Sequence, residues 1–370
     1  VLSIIAWMKT LSSNPPLQSS AALAHAHEAW ALLHVDALRA VALADTALAE
    51  ALQTQDRLAE GWARLARGHH LTYFARPRQA APELRAALAL FEAAGDRAGQ
   101  VLAHAGLARG LWREGQVDKA LALVLSLRDE GLAVLRHEQR GLLLNTIAGC
   151  YSALNQSEQA FAYMYEALRD APPTEGHGYD AVLHCNLAHE LLQLGDYHEA
   201  LKHIDAGLAR LEGASNARLL CGLLINRVIC LTDLNRATEA LPDIDRVCAI
   251  PADASGRGAL TPYFETMAVA AFRAGRLSLG RELVQRAKLV EREGLAEEEV
   301  EVAVAEAMLA LAEGQAGAAA LALQAARGRC HDDSMRVRHL VVATWADALE
   351  ALGDAKGAVG ALRECQHIAA

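Results

Sequence analysis

Apolar residues recur along most of the chain at the three- and four-residue spacing of amphipathic helices. The clearest case is residues 181–208, where two apolar stripes flank the tripeptide Leu194-Gly195-Asp196. Gly195 suits a left-handed helix end, and Asp196 suits the N-cap of a second helix, with Glu199 completing a capping box. The stretch therefore predicts two helices folded back on each other.

This unit recurs about every 40 residues. Small residues near the start of each second helix keep the step: Ala40, Ala80, Ala120, Ala160, Ala200, Ala240, Gly280, Ala319 and Ala358. From the third repeat onward, Gly or Asn marks the preceding turn: Gly115, Asn155, Gly195, Asn235, Gly275, Gly314 and Gly353. The pattern predicts an all-α chain of about nine helix-turn-helix hairpins, at approximately 21–60, 61–100, 101–140, 141–180, 181–220, 221–260, 261–299, 300–338 and 339–370.

The two ends of this array differ from its middle. Residues 1–20, with Asn14-Pro15-Pro16 and several serines, predict an irregular lead-in. The first hairpin is the weakest match, because Glu28 stands where a small residue is expected and no turn glycine follows. It is a candidate cap. Because the period continues through every link, we expect one solenoid over 21–370.

Composition supports the helical assignment and limits the compartment. Good helix formers dominate, and aromatic residues make up only 5% of the chain. The seven cysteines include no CxxC pair, which favours reduced thiols used as small core residues over a disulfide framework or a zinc site. We therefore expect a reducing compartment, the cytoplasm, and the Ala/Leu/Arg richness favours a bacterial source.

Charge and hydropathy limit the classes of partner that the chain can bind. The net charge of −10 argues against nucleic acid as the partner of the surface as a whole, although a local basic patch stays open. No apolar run is long enough to span a bilayer, and Val1–Met8 is too short, so we expect no membrane insertion. The chain begins with Val1 rather than Met, which is compatible with a piece of a longer protein.

The repeat resembles the tetratricopeptide repeat, in which small and large apolar residues alternate at fixed places in both helices. In 181–220 the matching residues are Leu187, Ala188, Leu191, Gly195, Tyr197, Ala200, Ile204 and Gly207. Repeats of about 40 residues resemble the longer-repeat branch of kinesin light chains, the maltose activator and Gram-positive peptide sensors. They are also similar to the helical N-terminal regions of bacterial signalling regulators. The resemblance implies a right-handed α-solenoid.

The resemblance also implies that the first helix of each pair lines a concave groove. Asn145, Asn186 and Asn226 lie about 40 residues apart on successive walls. Amides in a row offer donors and acceptors to the backbone of an extended peptide, similar to the asparagine ladder of the long-repeat branch. His189 and Gln193 share the helix face of Asn186.

A second candidate region of the groove is basic and aromatic. Arg109, Trp112 and Arg113 lie on one helix and suit a carboxylate or an acidic segment. The residues about 40 positions earlier extend this region, namely His69, Thr72 and Tyr73, and farther along come Glu265, Phe272 and Arg273.

Each of these residues also has an ordinary structural interpretation. An asparagine in mid-helix can bond a neighbouring helix or water. Arg109 and Arg113, four residues apart, fit a solvated charged face equally well, and Trp112 fits a core position. The histidines do not form a set with metal-ligand spacing, so we expect no metal site and no cofactor.

Three functions follow from these patterns. The leading hypothesis is a scaffold or sensor module that binds a protein or peptide segment in the groove, as the regulatory part of a bacterial signalling protein. The alternative is a regulatory arm whose dimerisation controls a separate output domain of the diguanylate cyclase or DNA-binding type. An enzyme is disfavoured, because no phosphate-binding loop, nucleophile elbow or acid/base pair is visible.

Overall fold

The computed structural model describes residues 20–73, 77–170, 179–212, 216–250, 263–289, 296–330 and 335–368. Within these ranges the chain is helical apart from short turns, and none of the described residues forms a strand. The all-α prediction is confirmed. The predicted lead-in over 1–20 lies outside the described residues except for Ser20, which caps the first helix through its hydroxyl oxygen.

The chain divides into two compact units, Val1–Leu135 and Arg136–Ala370. The helices of the first unit are α1 Ala21–Leu32, α2 Ala37–Thr54, α3 Arg57–Tyr73, α4 Pro77–Ala94, α5 Arg97–Arg113, α6 Val117–Ser126 and α7 Arg128–Val134. They pair along the chain as three hairpins, the last of which carries the short α7 as an addition.

The second unit contains six hairpins within the described ranges. Its helices are α8 His137–Ala153, α9 Ser157–Asp170, α10 Tyr179–Gln193, α11 Tyr197–Arg210, α12 Ala217–Asp233, η1 Ala237–Ala240 continuing into α13 Leu241–Cys248, α14 Phe264–Arg273, α15 Leu277–Lys288, α16 Ala296–Ala312, α17 Ala316–Arg327, α18 Met335–Ala351 and α19 Ala355–Ile368.

The predicted turn residues adopt the left-handed conformation. Every Gly and Asn of the series that begins at Gly115 and ends at Gly353 has a positive φ, between 55° and 79°. Asp196 caps α11, since its carboxylate accepts a hydrogen bond from the backbone N–H of Glu199. The other half of the predicted capping box differs, because the Glu199 side chain pairs with Lys202 instead.

Small residues let the helices approach closely, as the repeat pattern predicts. Ala200 and Ala240, at the starts of two second helices, have no exposed surface. Gly280 replaces alanine at this place because Phe272 fills the space. A methyl group on Gly280 would lie 2.5 Å from Cε1 of Phe272.

The first helix of the first hairpin, α1, follows the repeat with a shift of one residue. Glu28, which the 40-residue step places at a small-residue site, is exposed and pairs with Arg39 at 2.8 Å. Its neighbour Ala29 is fully buried and packs against Ala66 of α3. The weak match in the sequence therefore reflects a one-residue shift confined to α1, since Ala40 of α2 keeps the 40-residue step to Ala80 and is also buried.

Successive first helices pack directly on one another inside each unit. In the first unit α1 contacts α3 and α3 contacts α5, and in the second the series α8, α10, α12, α14, α16 and α18 continues in the same way. Among the described residues, second helices do not approach each other as closely and are bridged by long side chains, such as Arg286 to Cys248 and Arg327 to Glu364. Since the first helices are closer together, they line the inner side of each unit.

Candidate ligand-binding surface

The inner side of the first unit carries a group of rings and one guanidinium that we call the aromatic–arginine cluster. Its members come from three consecutive first helices: Trp30 and His34 from α1, His69 and Tyr73 from α3, and Arg109 and Trp112 from α5. The Trp30 and His69 ring centroids lie 4.9 Å apart, and those of His34 and Tyr73 lie 5.0 Å apart, both edge to face. These contacts join the helices side by side.

Arg109 is the charged centre of this cluster. Its guanidinium carbon lies 4.1 Å from the centroid of the Tyr73 ring and 5.4 Å from that of Trp112. The Nε and Nη1 atoms of Arg109 are buried and donate no hydrogen bond to the described residues, and the hydroxyl of Tyr73 is likewise buried without a partner. A guanidinium held by stacking, with unused donors, is suited to receive an acceptor from a ligand.

His69 is held neutral beside Arg109. Its side chain is buried, and its Nε2 donates a hydrogen bond to the carbonyl oxygen of Leu102 at 2.9 Å. Burial, with a smaller contribution from the positive charge of Arg109, lowers the pKa of His69 to about 4, although the hydrogen bond to Leu102 opposes that fall. The cluster therefore carries the charge of Arg109 without a second cation from His69 at neutral pH.

Two other predicted residues border the cluster. Arg113 is exposed at the end of α5, with Nη1 3.5 Å from the carbonyl oxygen of Thr72. Thr72 is buried, and its hydroxyl donates to the carbonyl oxygens of Gly68 and His69 within its own helix. Arg113 therefore lies where it can add positive charge at the edge of the cluster, whereas the Thr72 hydroxyl hydrogen is already used.

The predicted asparagine row lies on successive first helices of the second unit, and its amides bond protein atoms. Asn186 donates through Nδ2 to Oδ1 of Asn145 at 2.9 Å, and Asn226 donates to the carbonyl oxygen of Cys185 at 3.3 Å. Asn145 and Asn226 are buried, whereas Asn186 is half-buried. These bonds match the interpretation in which asparagines join neighbouring helices, and they hold Asn186 in one orientation.

His189 and Gln193 lie one and two turns after Asn186 on α10, and both are exposed. Asn186 and these two residues form a polar strip along α10. Their role in binding remains a prediction.

Farther along the second unit, the first helices α12, α14, α16 and α18 line a small cleft that opens to solvent and has room for about one water molecule. We call it the Asp233 cleft. It is lined by Ile229, Thr232, Asp233, Thr266, Val269, Glu301, Arg336 and Leu340.

Charges in the Asp233 cleft are arranged in pairs. Arg336 pairs with Glu301, and the Thr266 hydroxyl donates to the other oxygen of Glu301 at 3.1 Å. Oδ1 of Asp233 lies 3.8 Å from Nη1 of Arg273. Burial raises the pKa of Asp233, while the positive charges of Arg336 and Arg273 oppose that rise.

The sequence analysis did not single out Trp30, His34 or Asp233. A signal was present for all three. Trp30 and His34 stand one repeat before His69 and Tyr73, but with a step of 39, because α1 is shifted by one residue. Asp233 occupies the same repeat position as Gln193 and Arg273, which were both candidates.

The surroundings of the cysteines are those of structural residues rather than of reactive thiols. All seven are free thiols, and Cys150, Cys221, Cys230 and Cys365 are buried. Burial raises the pKa of Cys185 and of Cys230 to about 12 in each case, which disfavours the reactive thiolate. In the part of the chain that the structure describes, no three His, Cys, Asp or Glu side chains gather as metal ligands. None of the described helices is long and apolar enough to cross a membrane.

Comparison with known proteins finds similarity only at the level of structure. No protein-family model matches the chain, and no curated protein matches it. The apo form of RapI is 14% identical, with 94% of this chain and 97% of that chain covered and a TM-score of 0.59. Aspartyl phosphate phosphatase F from Bacillus subtilis is 13% identical, with 96% and 95% covered and a TM-score of 0.51. The chain is therefore a tetratricopeptide-like α-solenoid, similar in fold to these two proteins.

Proposed function

We propose that this protein is a sensor or scaffold module that binds a protein or peptide segment on its inner, first-helix surface. In this proposal the module is the regulatory part of a bacterial signalling protein, and its role is binding rather than catalysis. The fold of RapI and of aspartyl phosphate phosphatase F supports the architecture. The site itself is argued from the residues of this chain.

The unused donors of Arg109 carry the proposal. A buried donor without an acceptor costs about 1–3 kcal/mol, and more when it is charged. Stacking on Tyr73 recovers part of that cost through a cation–π contact, but it provides no acceptor to Nε or Nη1. A carboxylate from a bound segment would accept from the guanidinium in the geometry that arginine favours.

The rest of the cluster suits a peptide that carries such a carboxylate. Trp112 is half-buried, so part of its indole remains open for an apolar side chain next to the acidic one. Exposed Arg113 lies one turn beyond Arg109 and attracts negative charge from solvent. Rings from α1 and α3 hold the surface in place before binding, which lowers the entropic cost of association.

The test is to screen the full chain against a random peptide library and measure the selected peptides by calorimetry. We expect selected sequences to contain Asp or Glu or to use their terminal carboxylate. Arg109→Gln should weaken their binding by about tenfold or more, the scale of one charge-assisted hydrogen bond. Arg97→Gln is the matched control, because Arg97 lies on the same helix and already pairs with Glu130 and Gln100.

Three results would contradict the proposal. The library could yield no binder, Arg109→Gln could leave affinity unchanged, or Arg97→Gln could weaken it equally. Sedimentation of the full chain tests the alternative function, in which the chain is a dimerisation arm. A concentration-dependent dimer that displaces the peptides would replace segment binding with self-association as the role of this surface.

A further inference from the structure

The last hairpin leaves open a face that the earlier hairpins of the second unit cover with the next first helix. We infer that this end face, formed by Val359, Leu362 and Arg363 of α19, docks an amphipathic helix of a partner protein that carries acidic residues. The end face shares no residue with the aromatic–arginine cluster, so the inference stands apart from the proposed function.

The burial of one repeat position shows that the end face lacks a neighbour. This position comes four residues after the small residue near the start of each second helix. In eight hairpins its apolar side chain is at most 2% exposed: Ala44, Leu84, Val124, Met164, Ile204, Ile244, Val284 and Leu323. In the ninth hairpin the same position is Leu362, which is 53% exposed. The last hairpin therefore keeps an apolar residue for a contact that it does not make with the described residues.

The fifth hairpin shows what covers this position elsewhere in the chain. Leu201 and Ile204 of α11 pack in one cluster with Leu223 of the next first helix, α12. Val359 and Leu362 occupy the same repeat positions in α19, yet both are about half exposed. The end face is therefore shaped to receive a helix that has the apolar stripe of a first helix.

The charges beside Val359 favour an acidic helix. Lys356 and Arg363 lie one turn before and one turn after Val359 on α19, both are exposed, and neither pairs with a carboxylate in the described part of the chain. At an equivalent junction Lys288 of α15 pairs with Glu306 of the next first helix, α16, at 2.9 Å. A carboxylate on the docked helix would pair with Arg363 in the same way.

Two other junctions show the same rule with the signs exchanged. Asp45 and Asp205 stand at the repeat position of Arg363. Asp45 pairs with Arg67 at 3.2 Å, and Asp205 lies 3.8 Å from Arg227, each arginine being on the next first helix. The charge on the second helix is thus opposite to that on the helix that covers it.

A second copy of the chain matches the end face less well. If two α19 helices packed antiparallel and crossed near Val359, Lys356 of each copy would face Arg363 of the other. A parallel pair would bring each cation beside its own counterpart. Because like charges in such positions repel, the charges favour a helix from a different protein.

The probe is a synthetic peptide of residues 296–313, capped at both ends, because α16 is a first helix that already carries the acidic residue. The full chain is titrated against the labelled peptide, and binding is followed by fluorescence anisotropy. We expect saturable binding with a Kd of about 100 μM or tighter, since folding of the helix uses part of the contact energy. The peptide with Glu306→Lys should bind at least about threefold more weakly, because an exposed ion pair becomes a repulsion.

Variants of the full chain locate the bound peptide. Leu362→Glu puts a charge in the end face at a half-exposed position, and we expect it to abolish binding. Leu321→Glu is the matched control, because Leu321 is also apolar and exposed but lies on α17, and this variant should bind as the natural chain does. Arg363→Glu should reverse the preference, so that the Glu306→Lys peptide becomes the tighter ligand.

Several outcomes overturn the inference. They are no binding of the peptide, undiminished binding to Leu362→Glu, and an unchanged preference in Arg363→Glu, which decides the matter even if Leu362→Glu fails to fold. A dimer of the natural chain that Leu362→Glu dissociates in sedimentation would assign the end face to a second copy.

The inference and the proposed function can fail separately. If library-selected peptides bind through Arg109 but the 296–313 peptide does not bind, the end face has no such partner and the proposed function stands. If only the 296–313 peptide binds, in a manner that depends on Leu362, the proposed function fails and the end face remains a docking site.

Discussion

At the residue scale, a contact between two histidines links folding to pH. Nδ1 of His184 lies 2.9 Å from Nδ1 of His203, so one ring must donate and the other accept. Burial lowers the pKa of His184 to about 4, with the charge of His203 adding to the effect, and burial also lowers the pKa of His203. Protonation of both rings would place two N–H groups face to face.

The sign of the pH dependence follows from these directions. Both imidazoles bind protons more weakly in the folded chain than in the unfolded chain, where the pKa is about 6.5. Their contribution to the free energy of unfolding is therefore complete above about pH 6.5 and decreases as the pH falls toward 4. We expect the urea midpoint of the natural chain to fall between pH 7.5 and about pH 5.

His203→Gln should reduce that fall, whereas His367→Gln, at an exposed site, should not. The comparison between variants is needed because His69 titrates in the same direction. A His203→Gln chain with the full pH dependence of the natural one would show that this contact is not its source.

At the element scale, the fit between a second helix and its partner decides which small residue is allowed. In an open helix interior, Gly→Ala stabilises by about 0.5–1 kcal/mol. At Gly280 the added methyl would collide with Phe272. Overpacking of this kind costs about 1–3 kcal/mol, so Gly280→Ala should lower the thermal midpoint.

Gly360 provides the matched comparison, because it lies inside α19 and an added methyl there meets nothing within 4 Å. We expect Gly360→Ala to raise the thermal midpoint, and Phe272→Leu to relieve part of the defect of Gly280→Ala. A rise for both glycine variants would mean that Phe272 moves aside at little cost.

The elements were more predictable from sequence than the site, for a physical reason. A left-handed turn at Gly195 depends on a few adjacent residues, and the 40-residue period repeats that signal many times. Whether Asn186 faces a ligand or Asn145 depends on a side chain about 40 positions away. The position of Asp233 beside Thr266 and Arg336 depends likewise on four helices meeting at one place.

The shift at Glu28 has the same origin. A fixed step of 40 back from Gly68 assigns Glu28 to the interior, and only the burial of Ala29 in its place shows that the step in the first helices is 39 here. That one-residue shift is the reason why Trp30 and His34 were not predicted as site residues.

At the scale of the whole molecule, local stability should differ along each solenoid unit. Hairpins with neighbours on both sides should open less readily than a hairpin at the end. Each hairpin of a solenoid is stabilised mainly by its neighbours. Helix α12 packs against helices on both sides, and its residues Leu223 and Leu224 are fully buried. Helix α19 contacts α18 alone among the described helices and leaves Val359 and Leu362 about half exposed.

We therefore expect backbone amides of α12 to exchange with deuterium at least about tenfold more slowly than those of α19, because local opening of a helix with fewer neighbours costs less free energy. Hydrogen exchange followed by mass spectrometry on the full chain measures both helices in one experiment. In a solenoid held together by nearest neighbours, Leu224→Ala should speed exchange most in α10, α12 and α14 and progressively less farther away. Equal exchange in α12 and α19, with a uniform response to that variant, would instead show that the second unit opens only as a whole.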